Sequence, residues 1–322
     1  MRKKKTKYFS MFSGIGGFEL GIQRSIPDAR CIGYSETDKF AIQTYQKHFP
    51  KHKNFGDARK INPKELPNFD LLFAGFPCQA FSIAGKRAGF NDTRGTLFFE
   101  IARIIEAKKP SYLFLENVKG LLSHNKGGTF AKIIHTLDEL GYECQWMVLN
   151  SKNYGVPQNR ERVFIVGCDR KVHRTKIFSF REDYEEPDKK SKKRLELLYD
   201  GDYQGKRIYS VEGISPTIST GKAGGNHIPF IASHWPRAGN PKNRGTGMLT
   251  SAEYFYCLDR TPHYVNGIRR LTPVECERLQ GFPDNWTEGV SDSQRYTQCG
   301  NAVTVDVVED IAKCFASRCL QF

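Results

Sequence analysis

Short apolar runs alternate with amphipathic segments along the first half of the chain. Six runs fit buried strands bounded by turn residues, at residues 7–12, 31–35, 69–74, 112–115, 146–149 and 163–167. Residues 97–105 and 130–140 have the apolar spacing of amphipathic helices, and Gly141 closes the second. The alternation of strands and helices predicts an α/β fold with a parallel sheet.

The pattern changes in the second half. Residues 183–194 are charged and interrupted by proline, which is typical of a linker or surface turn, and residues 195–264 show little helical periodicity and many Gly and Pro. Periodicity returns at a predicted helix with Thr272 as N-cap, Pro273 in its first turn and Gly281 as its stop. A last apolar-periodic helix runs to about Phe315. The intermediate region therefore reads as a loop-rich recognition surface or as an insertion.

A glycine turn follows the first predicted strand. Phe12 is followed by Gly14, Gly16 and Gly17, but Glu19 stands where a dinucleotide-binding G-x-G-x-x-G motif needs its last glycine. This spacing argues against a nicotinamide oxidoreductase. A turn without phosphate-cradling residues fits a ligand with an adenosine and no pyrophosphate, such as S-adenosylmethionine.

Acidic residues stand at the ends of the next strands. Glu36 ends the second strand, about 20 residues past the glycine turn, where a carboxylate commonly accepts hydrogen bonds from a ribose. Asp57 stands at a further strand end and can accept from an adenine amino group. Either acid alone would more often be a surface residue than a cofactor ligand. Together they favour a cofactor site.

Cys78 follows the third strand in the stretch Gly75-Phe76-Pro77-Cys78-Gln79-Ala80-Phe81-Ser82. Active-site groups of open α/β sheets gather beyond the carboxyl ends of strands. A lone cysteine is nevertheless more often a small buried hydrophobe than a nucleophile. Glu116 ends the neighbouring strand, and Arg160 and Arg162 precede a later one, so an acid and two cations are available near the thiol.

Composition narrows the choice of partner. The chain has 322 residues, 39% hydrophobic and 26% charged, with no run as long as a membrane span and no apolar signal core after its basic N-terminus. We expect a cytoplasmic protein. Its nine cysteines include no C-x-x-C pair and no metal-binding cluster, which predicts reduced thiols and no metal. The net charge of +14 favours a nucleic acid partner over simple solubility.

Eight blocks resemble the DNA (cytosine-5) methyltransferases, most closely the compact bacterial restriction-modification enzymes, over nearly the whole chain. They are residues 12–17, Glu36, Asp57, and residues 75–82, 116–118, 158–162, 270–283 and 300–303. One block is a modest signal, whereas eight in the family's order are specific. The resemblance identifies Cys78 as a nucleophile.

The resemblance implies a fold and its division. It implies a Rossmann-like, S-adenosylmethionine-dependent α/β domain with helices on both faces of a mainly parallel sheet, and a smaller, loop-rich target-recognition domain. We expect residues 1–182 to form the catalytic and cofactor-binding domain, residues 183–266 the recognition domain, and residues 267–322 to return to the catalytic domain.

It also implies a chemistry. Cys78 adds to carbon 6 of a cytosine flipped out of duplex DNA, Glu116 bonds ring nitrogen 3 and the exocyclic amine, Arg162 contacts the ring carbonyl, and Arg160 supports the pocket. The product of the methyl donor is S-adenosylhomocysteine. By residue-wise correspondence, the cofactor site comprises Phe12, Gly14, Gly16, Gly17, Glu36, Asp57, Pro77, Leu97 and Asn301.

Residues that contact DNA are carried over in the same way. Gln79 and Ser82 belong to a catalytic loop that closes over DNA, and Gln204, Arg207 and Thr217 resemble recognition residues of a GCGC-modifying relative. A phosphate or surface role for Arg207 stays open. Residues 230–263 depart from that relative, so its target sequence is not carried over.

Two other functions within the resemblance stay open at this point. One is the tRNA-methylating branch, which typically lacks a large recognition domain and whose Cys-Phe-Thr signature is absent here. The other is a catalytically silent DNA-binding relative, although both Cys78 and the Glu116 carboxylate are present. The expected partners are double-stranded DNA and a cognate restriction endonuclease acting on the same site. We expect a monomer associated with the nucleoid, without a membrane partner.

Overall fold

The computed structural model describes residues 5–77, 97–172 and 268–318, with short strands at residues 197–199, 208–210, 215–216, 219–221, 225–227 and 230–232. A six-stranded sheet dominates the first two ranges. Its strands in chain order are β1 (Lys7–Met11), β2 (Arg30–Ser35), β3 (Leu71–Gly75), β4 (Tyr112–Val118), β5 (Tyr142–Asn150) and, after the two-residue β6 (Gln158–Asn159), β7 (Glu161–Asp169). Their spatial order is β2-β1-β3-β4-β7-β5.

The first four strands of this sheet are parallel, as expected, whereas β7 runs antiparallel to both β4 and β5. Parallel neighbours need a crossover connection of a dozen or more residues, usually a helix. The connection between β5 and β7 is too short for one, because only residues 151–160 separate them. The sheet is therefore mixed at this edge.

Helices cover both faces of the sheet. They are α1 (Gly17–Ser25), α2 (Lys39–His48), α3 (Leu97–Lys108), α4 (Gly128–Glu139), α5 (Pro273–Leu279), α6 (Asp292–Asn301) and α7 (Val305–Arg318). The predicted start of α5 is confirmed, because Thr272 and Glu275 form a reciprocal capping box with Pro273 in the first turn. Neither α2 nor α6 was predicted from the apolar pattern, since both are rich in polar residues.

Two hydrophobic clusters lie on opposite faces of the sheet because neighbouring side chains of each strand alternate. On β3, Leu72 packs with residues of α3 and α4, whereas Phe73 packs with residues of α1 and α7. The last helix thus returns to the sheet beside the first. Gly21 of α1 allows that approach, since a Cβ there would lie 2.6 Å from Val308 Cγ1.

The region predicted to be loop-rich contains short strands: β8 (Leu197–Tyr199), β9 (Ile208–Ser210), β10 (Ser215–Pro216), β11 (Ser219–Gly221), β12 (Gly225–His227) and β13 (Phe230–Ala232). With β14 (Ile268–Arg270), three of them form a four-stranded sheet in the order β14-β13-β9-β8. The strand just past the predicted boundary at residue 266 therefore pairs with this smaller sheet. The division into 1–182, 183–266 and 267–322 stays a prediction.

None of the helices in the described ranges is long and apolar enough to cross a lipid bilayer.

Candidate active site

The carboxyl ends of β3 and β4 bring Glu116, the predicted acid, close to the end of β3, from which the chain continues to Cys78, the predicted nucleophile. Gly75, the last residue of β3, pairs in register with Glu116 of β4. The chain leaves Gly75 through a buried Phe76 and an exposed Pro77, one residue before Cys78. Cys78 itself lies outside the described residues. The adjacency of the two strand ends follows from the parallel pairing of β3 and β4.

Asn117 fixes the backbone just before this point. Its side-chain amide donates a hydrogen bond of 2.8 Å to the Phe76 carbonyl, and the Asn117 side chain is buried. Its Oδ1 accepts from the Val118 backbone amide at 2.8 Å. Asn117 lies within the family block at residues 116–118, but no role was predicted for it. The sequence signal that could have indicated this role is the amide side chain directly after the acid at the end of the strand.

Glu116 and Arg162 form a largely buried ion pair. Arg162 Nε lies 3.2 Å from Glu116 Oε1, and the two side chains are only 16% and 12% exposed. The pair forms because Val118 at the end of β4 is registered with Arg162 at the start of the antiparallel β7. Burial raises the pKa of the Glu116 carboxyl, and the charges of Arg162 and Arg160 oppose that rise. The site therefore favours a protonated acid more than water does.

Arg160 has a different environment, facing the C-terminal part of the chain. Its Nη2 donates to the carbonyl oxygens of Gly300 at 3.1 Å and Ala302 at 2.8 Å. Its backbone amide donates to Asn150 Oδ1 at 3.1 Å. Arg160 is 2% exposed, and these bonds join the β5–β7 connection to the end of α6 and to the residue that follows it.

The glycine turn after β1 has a strained backbone. Phe12 adopts a left-handed backbone with φ of 56°, held by a 2.8 Å bond from its amide to the Ser35 carbonyl. Gly16, with φ of 89°, is the N-cap of α1, and a Cβ on it would lie 2.6 Å from the Phe49 ring. A Cβ on Gly17 would meet Val303 Cγ1 at 2.8 Å. The segment that follows Asn301 therefore packs directly on this turn.

The acids predicted for the cofactor are linked to the turn and to each other. Glu36 Oε2 accepts from the Gly14 amide at 2.9 Å. The Asn54 side chain bonds both the backbone amide of Glu36 and that of Gly56, at 3.3 and 2.9 Å. Asp57 comes next and pairs with Arg59 Nη2 at 2.7 Å, an interaction that lowers the pKa of the Asp57 carboxyl. Asn54 thus links the loop that carries Glu36 to the loop that carries Asp57.

The remaining predicted cofactor residues lie at the start or end of elements. Leu97 is half-buried at the first turn of α3, and Asn301 is exposed at the last residue of α6. The predicted DNA contacts Gln79, Ser82, Gln204, Arg207 and Thr217 lie outside the described residues. Among the residues that the structure describes, no three His, Cys, Asp or Glu side chains group as metal ligands.

A family model for C-5 cytosine-specific DNA methylases matches residues 6–316 of the chain. Similar curated proteins include the Type II methyltransferase M1.ScrFI of Lactococcus lactis subsp. cremoris, which is 40% identical over 96% of this chain and 77% of its own length. The Type II methyltransferase M.HhaI of Haemophilus parahaemolyticus is 35% identical over 95% of this chain and 93% of its own.

Solved structures with a similar fold include a Spodoptera frugiperda DNMT2 mutant. It covers 97% of this chain and 100% of its own, with a TM-score of 0.70 and 20% identity. A putative DNA modification methyltransferase encoded within an Escherichia coli prophage matches 97% of this chain and 99% of its own, with a TM-score of 0.63 and 18% identity. These likenesses confirm the expected fold.

Proposed function

The chain belongs to the C-5 cytosine-specific DNA methylase family, and from that premise we propose how its own residues methylate cytosine. It is a sequence-specific DNA (cytosine-5) methyltransferase. Family membership implies use of S-adenosylmethionine, which supplies an electrophilic methyl group when bound. The remaining steps depend on side chains of this chain and on the substrate base.

The glycine turn and the loops beside it fit the methyl donor. The Glu36 carboxylate, held by the Gly14 amide, suits the hydroxyl groups of a ribose, and Asp57 suits the amino group of an adenine. Phe49 fills the space beside Gly16, and Val303 fills the space beside Gly17, so the turn is supported by packed side chains. We assign the rest of the cofactor site to Phe12, Pro77, Leu97 and Asn301.

We assign covalent catalysis to Cys78. Its thiolate forms a bond to carbon 6 of the cytosine, and the electrons of the 5,6 double bond make carbon 5 nucleophilic toward the methyl group. A base, which we take to be water, then removes the proton from carbon 5. The bond between Cys78 and carbon 6 breaks, the double bond is restored and the thiolate is released. The base must leave the duplex for this attack.

We assign Glu116 and Arg162 to stabilising the charge that develops on the ring. Protonated Glu116 donates a hydrogen bond to ring nitrogen 3, and Arg162 donates to the ring carbonyl oxygen. The raised pKa of Glu116 supports the donor role, because only the protonated carboxyl carries a hydrogen. Arg160 acts through its neighbours, since its guanidinium is committed to the Gly300 and Ala302 carbonyls.

One observation carries this assignment. A buried carboxyl with a raised pKa and a 3.2 Å arginine partner lies at a strand end registered with Gly75, three residues before Cys78 in sequence. A silent DNA-binding protein has no need of a buried acid at that position. The assembly matches what addition of a thiolate to cytosine requires.

Trapping with a substituted base tests the proposal. Duplex DNA with 5-fluorocytosine at the target site should form a stable covalent complex in the presence of S-adenosylmethionine, because fluorine on carbon 5 cannot leave as a cation. Denaturing gel electrophoresis should show one band of protein joined to DNA.

The matched variants separate the roles of two side chains. Cys78→Ala should form no such band, and its persistence in that variant would refute Cys78 as the nucleophile. Cys31→Ala should form the band normally, because Cys31 lies on β2 with its pKa raised to about 12 by burial. Trapping on an RNA duplex and not on DNA would favour the tRNA-methylating alternative.

The remaining functional assignments concern partners and place of action. Similar proteins named Type II methyltransferases suggest a restriction endonuclease that acts on the same site. We propose that it acts on DNA at the nucleoid in the cytoplasm, and family membership implies a monomer. We retain Gln79 and Ser82 for the closing loop, and Gln204, Arg207 and Thr217 for recognition, as predictions.

A further inference from the structure

Trp286 makes a direct hydrogen bond to the glycine turn. Its indole Nε1 donates to the backbone carbonyl of Ile15 at 2.9 Å, in a buried contact between residues 271 positions apart. Ile15 lies between Gly14 and Gly16, both of which have left-handed backbones. The Trp286 side chain is 6% exposed. An indole N–H only donates, so Trp286 is the donor and the Ile15 carbonyl the acceptor of this bond.

Trp286 is itself held by the end of α2. The rings of His48 and Trp286 stack at 3.6 Å between centroids, with an interplanar angle of 5°. His48 Nε2 lies 2.7 Å from the Trp286 carbonyl and donates to it. The neighbouring Phe49 ring packs edge-on against Trp286 and also closes the space beside Gly16. The position of the indole is therefore fixed on two sides.

Burying the Ile15 carbonyl without a donor would be costly, because a buried unsatisfied acceptor loses its bonds to water. The turn also carries the Gly14 amide that bonds Glu36, at 2.9 Å. A shift of the Ile15 peptide would therefore displace the Gly14 amide and the Glu36 carboxylate together. The indole hydrogen bond restrains that shift before any ligand arrives.

We propose that Trp286 is a positioning residue for the methyl donor, holding the glycine turn in its binding conformation from the C-terminal segment. This inference rests on the proposed cofactor site at Gly14, Gly16 and Glu36. A preorganised turn raises ligand affinity by removing the cost of ordering it on binding. The residue acts on cofactor binding and leaves the chemistry at Cys78 and Glu116 unchanged.

Trp286→Phe tests this role because it keeps an aromatic ring and removes the N–H. We expect the Kd for S-adenosylhomocysteine, measured by titration calorimetry on the full chain, to rise roughly 5- to 20-fold. At saturating S-adenosylmethionine, kcat should stay within about twofold of the wild type, so the loss should appear in KM. A merely structural loss would lower kcat and the fraction of active protein.

Trp146→Phe is the matched control, because Trp146 is 49% exposed on β5 and packs edge-on with Phe130. It should leave both Kd and kcat unchanged. His48→Phe is a second variant that keeps the stacked ring and the indole, and it should raise Kd by roughly two- to fivefold. It provides a second readout if Trp286→Phe does not fold.

Two outcomes would overturn the inference. The first is an unchanged Kd in Trp286→Phe, or in His48→Phe if Trp286→Phe does not fold. The second is a loss of activity that is confined to kcat. Failure of the wild type to bind S-adenosylhomocysteine would instead overturn the proposed cofactor site.

Discussion

At the scale of single residues, Glu116 shows how placement alters an ordinary side chain. Burial raises the pKa of its carboxyl, and the adjacent Arg162 keeps that rise in check. A carboxyl that retains its proton to higher pH can donate to a ring nitrogen under conditions where an exposed glutamate cannot. The ionised form is lost as pH falls and gained as pH rises through the raised pKa. Activity that needs the acid therefore declines on the alkaline side.

We predict that Glu116→Gln lowers kcat by about 10²–10⁴-fold, because it removes a proton donor used mainly in the transition state. Cofactor affinity should remain within about twofold. Steady-state kinetics at saturating DNA and calorimetry measure the two effects. The control is Glu161→Gln. Glu161 is next to Arg162 in sequence, but its carboxylate pairs at the surface with Lys119 at 2.9 Å. Equal turnover of Glu116→Gln and wild type would remove Glu116 from the mechanism.

The position of Glu19 in the sequence argued against a dinucleotide-binding motif, but it did not indicate what the side chain does. It takes the place of a motif glycine, and in the fold its side chain is fully buried and accepts from the Tyr45 hydroxyl at 3.0 Å. Burial raises the pKa of Glu19 to about 7. Folding therefore becomes less favourable as pH rises from the ordinary pKa of a glutamate toward 7, because over that range the unfolded chain has already lost the proton that the folded state retains.

At the scale of elements, a buried polar network joins the β5–β7 connection to the start of α7. Thr304 Oγ1 donates to Gln280 Oε1 at 3.0 Å and lies 2.8 Å from Ser151 Oγ. Gln280 Nε2 reaches Gln158 Oε1 at 3.2 Å, and the Gln280 carbonyl accepts from the Val305 amide at 2.9 Å. Ser151 also donates its backbone amide to the Arg160 carbonyl at 3.0 Å, so the network connects the residue beside the strand carrying Arg162 with the C-terminal segment.

We predict that Thr304→Val lowers the free energy of unfolding by about 1–3 kcal/mol, because valine leaves buried Gln280 and Ser151 oxygens without that hydroxyl. We also expect a lower kcat/KM, since Arg160 and Arg162 lose part of their support. Urea unfolding and steady-state kinetics measure both. Thr297→Val is the control, because its hydroxyl bonds the Ser293 carbonyl within α6. A wild-type midpoint for Thr304→Val would show that the network is not structural.

At the scale of the whole molecule, we predict that two regions have separate tasks. The described sheet and its helices hold the acid, the arginines and the glycine turn, while residues 195–264 carry the predicted recognition contacts. The net charge of +14 supports binding to the phosphate backbone, which positions the protein but does not read sequence. We therefore predict that specificity depends on the second region.

We predict that cells expressing the protein, in a host without its own cytosine methylation, acquire 5-methylcytosine in one short sequence motif. Bisulfite sequencing of their DNA measures activity and specificity together. The Cys78→Ala protein should leave the DNA unmodified, which excludes background conversion. Methylation at cytosines without a shared motif would contradict sequence-specific recognition by this chain.

Much of the fold could be predicted because buried strands can be recognised in the sequence as short apolar runs. All six strands of the main sheet and the capping of α5 followed from local patterns. The polar helices α2 and α6 could not be predicted in that way. Their stability comes from tertiary contacts, such as the Gln298 side chain of α6 with Thr44 and Phe40 of α2.

The same division holds for the site. The sequence alone determined the chemical groups, namely a cysteine, an acid and two arginines at strand ends and a glycine turn with an acid beyond it. Only the tertiary structure decided their states and partners. It buried Glu116 against Arg162, turned Arg160 toward Gly300 and Ala302, and brought Trp286 to Ile15. Residue identity is local, whereas burial and hydrogen-bond partners depend on segments that are distant in the chain.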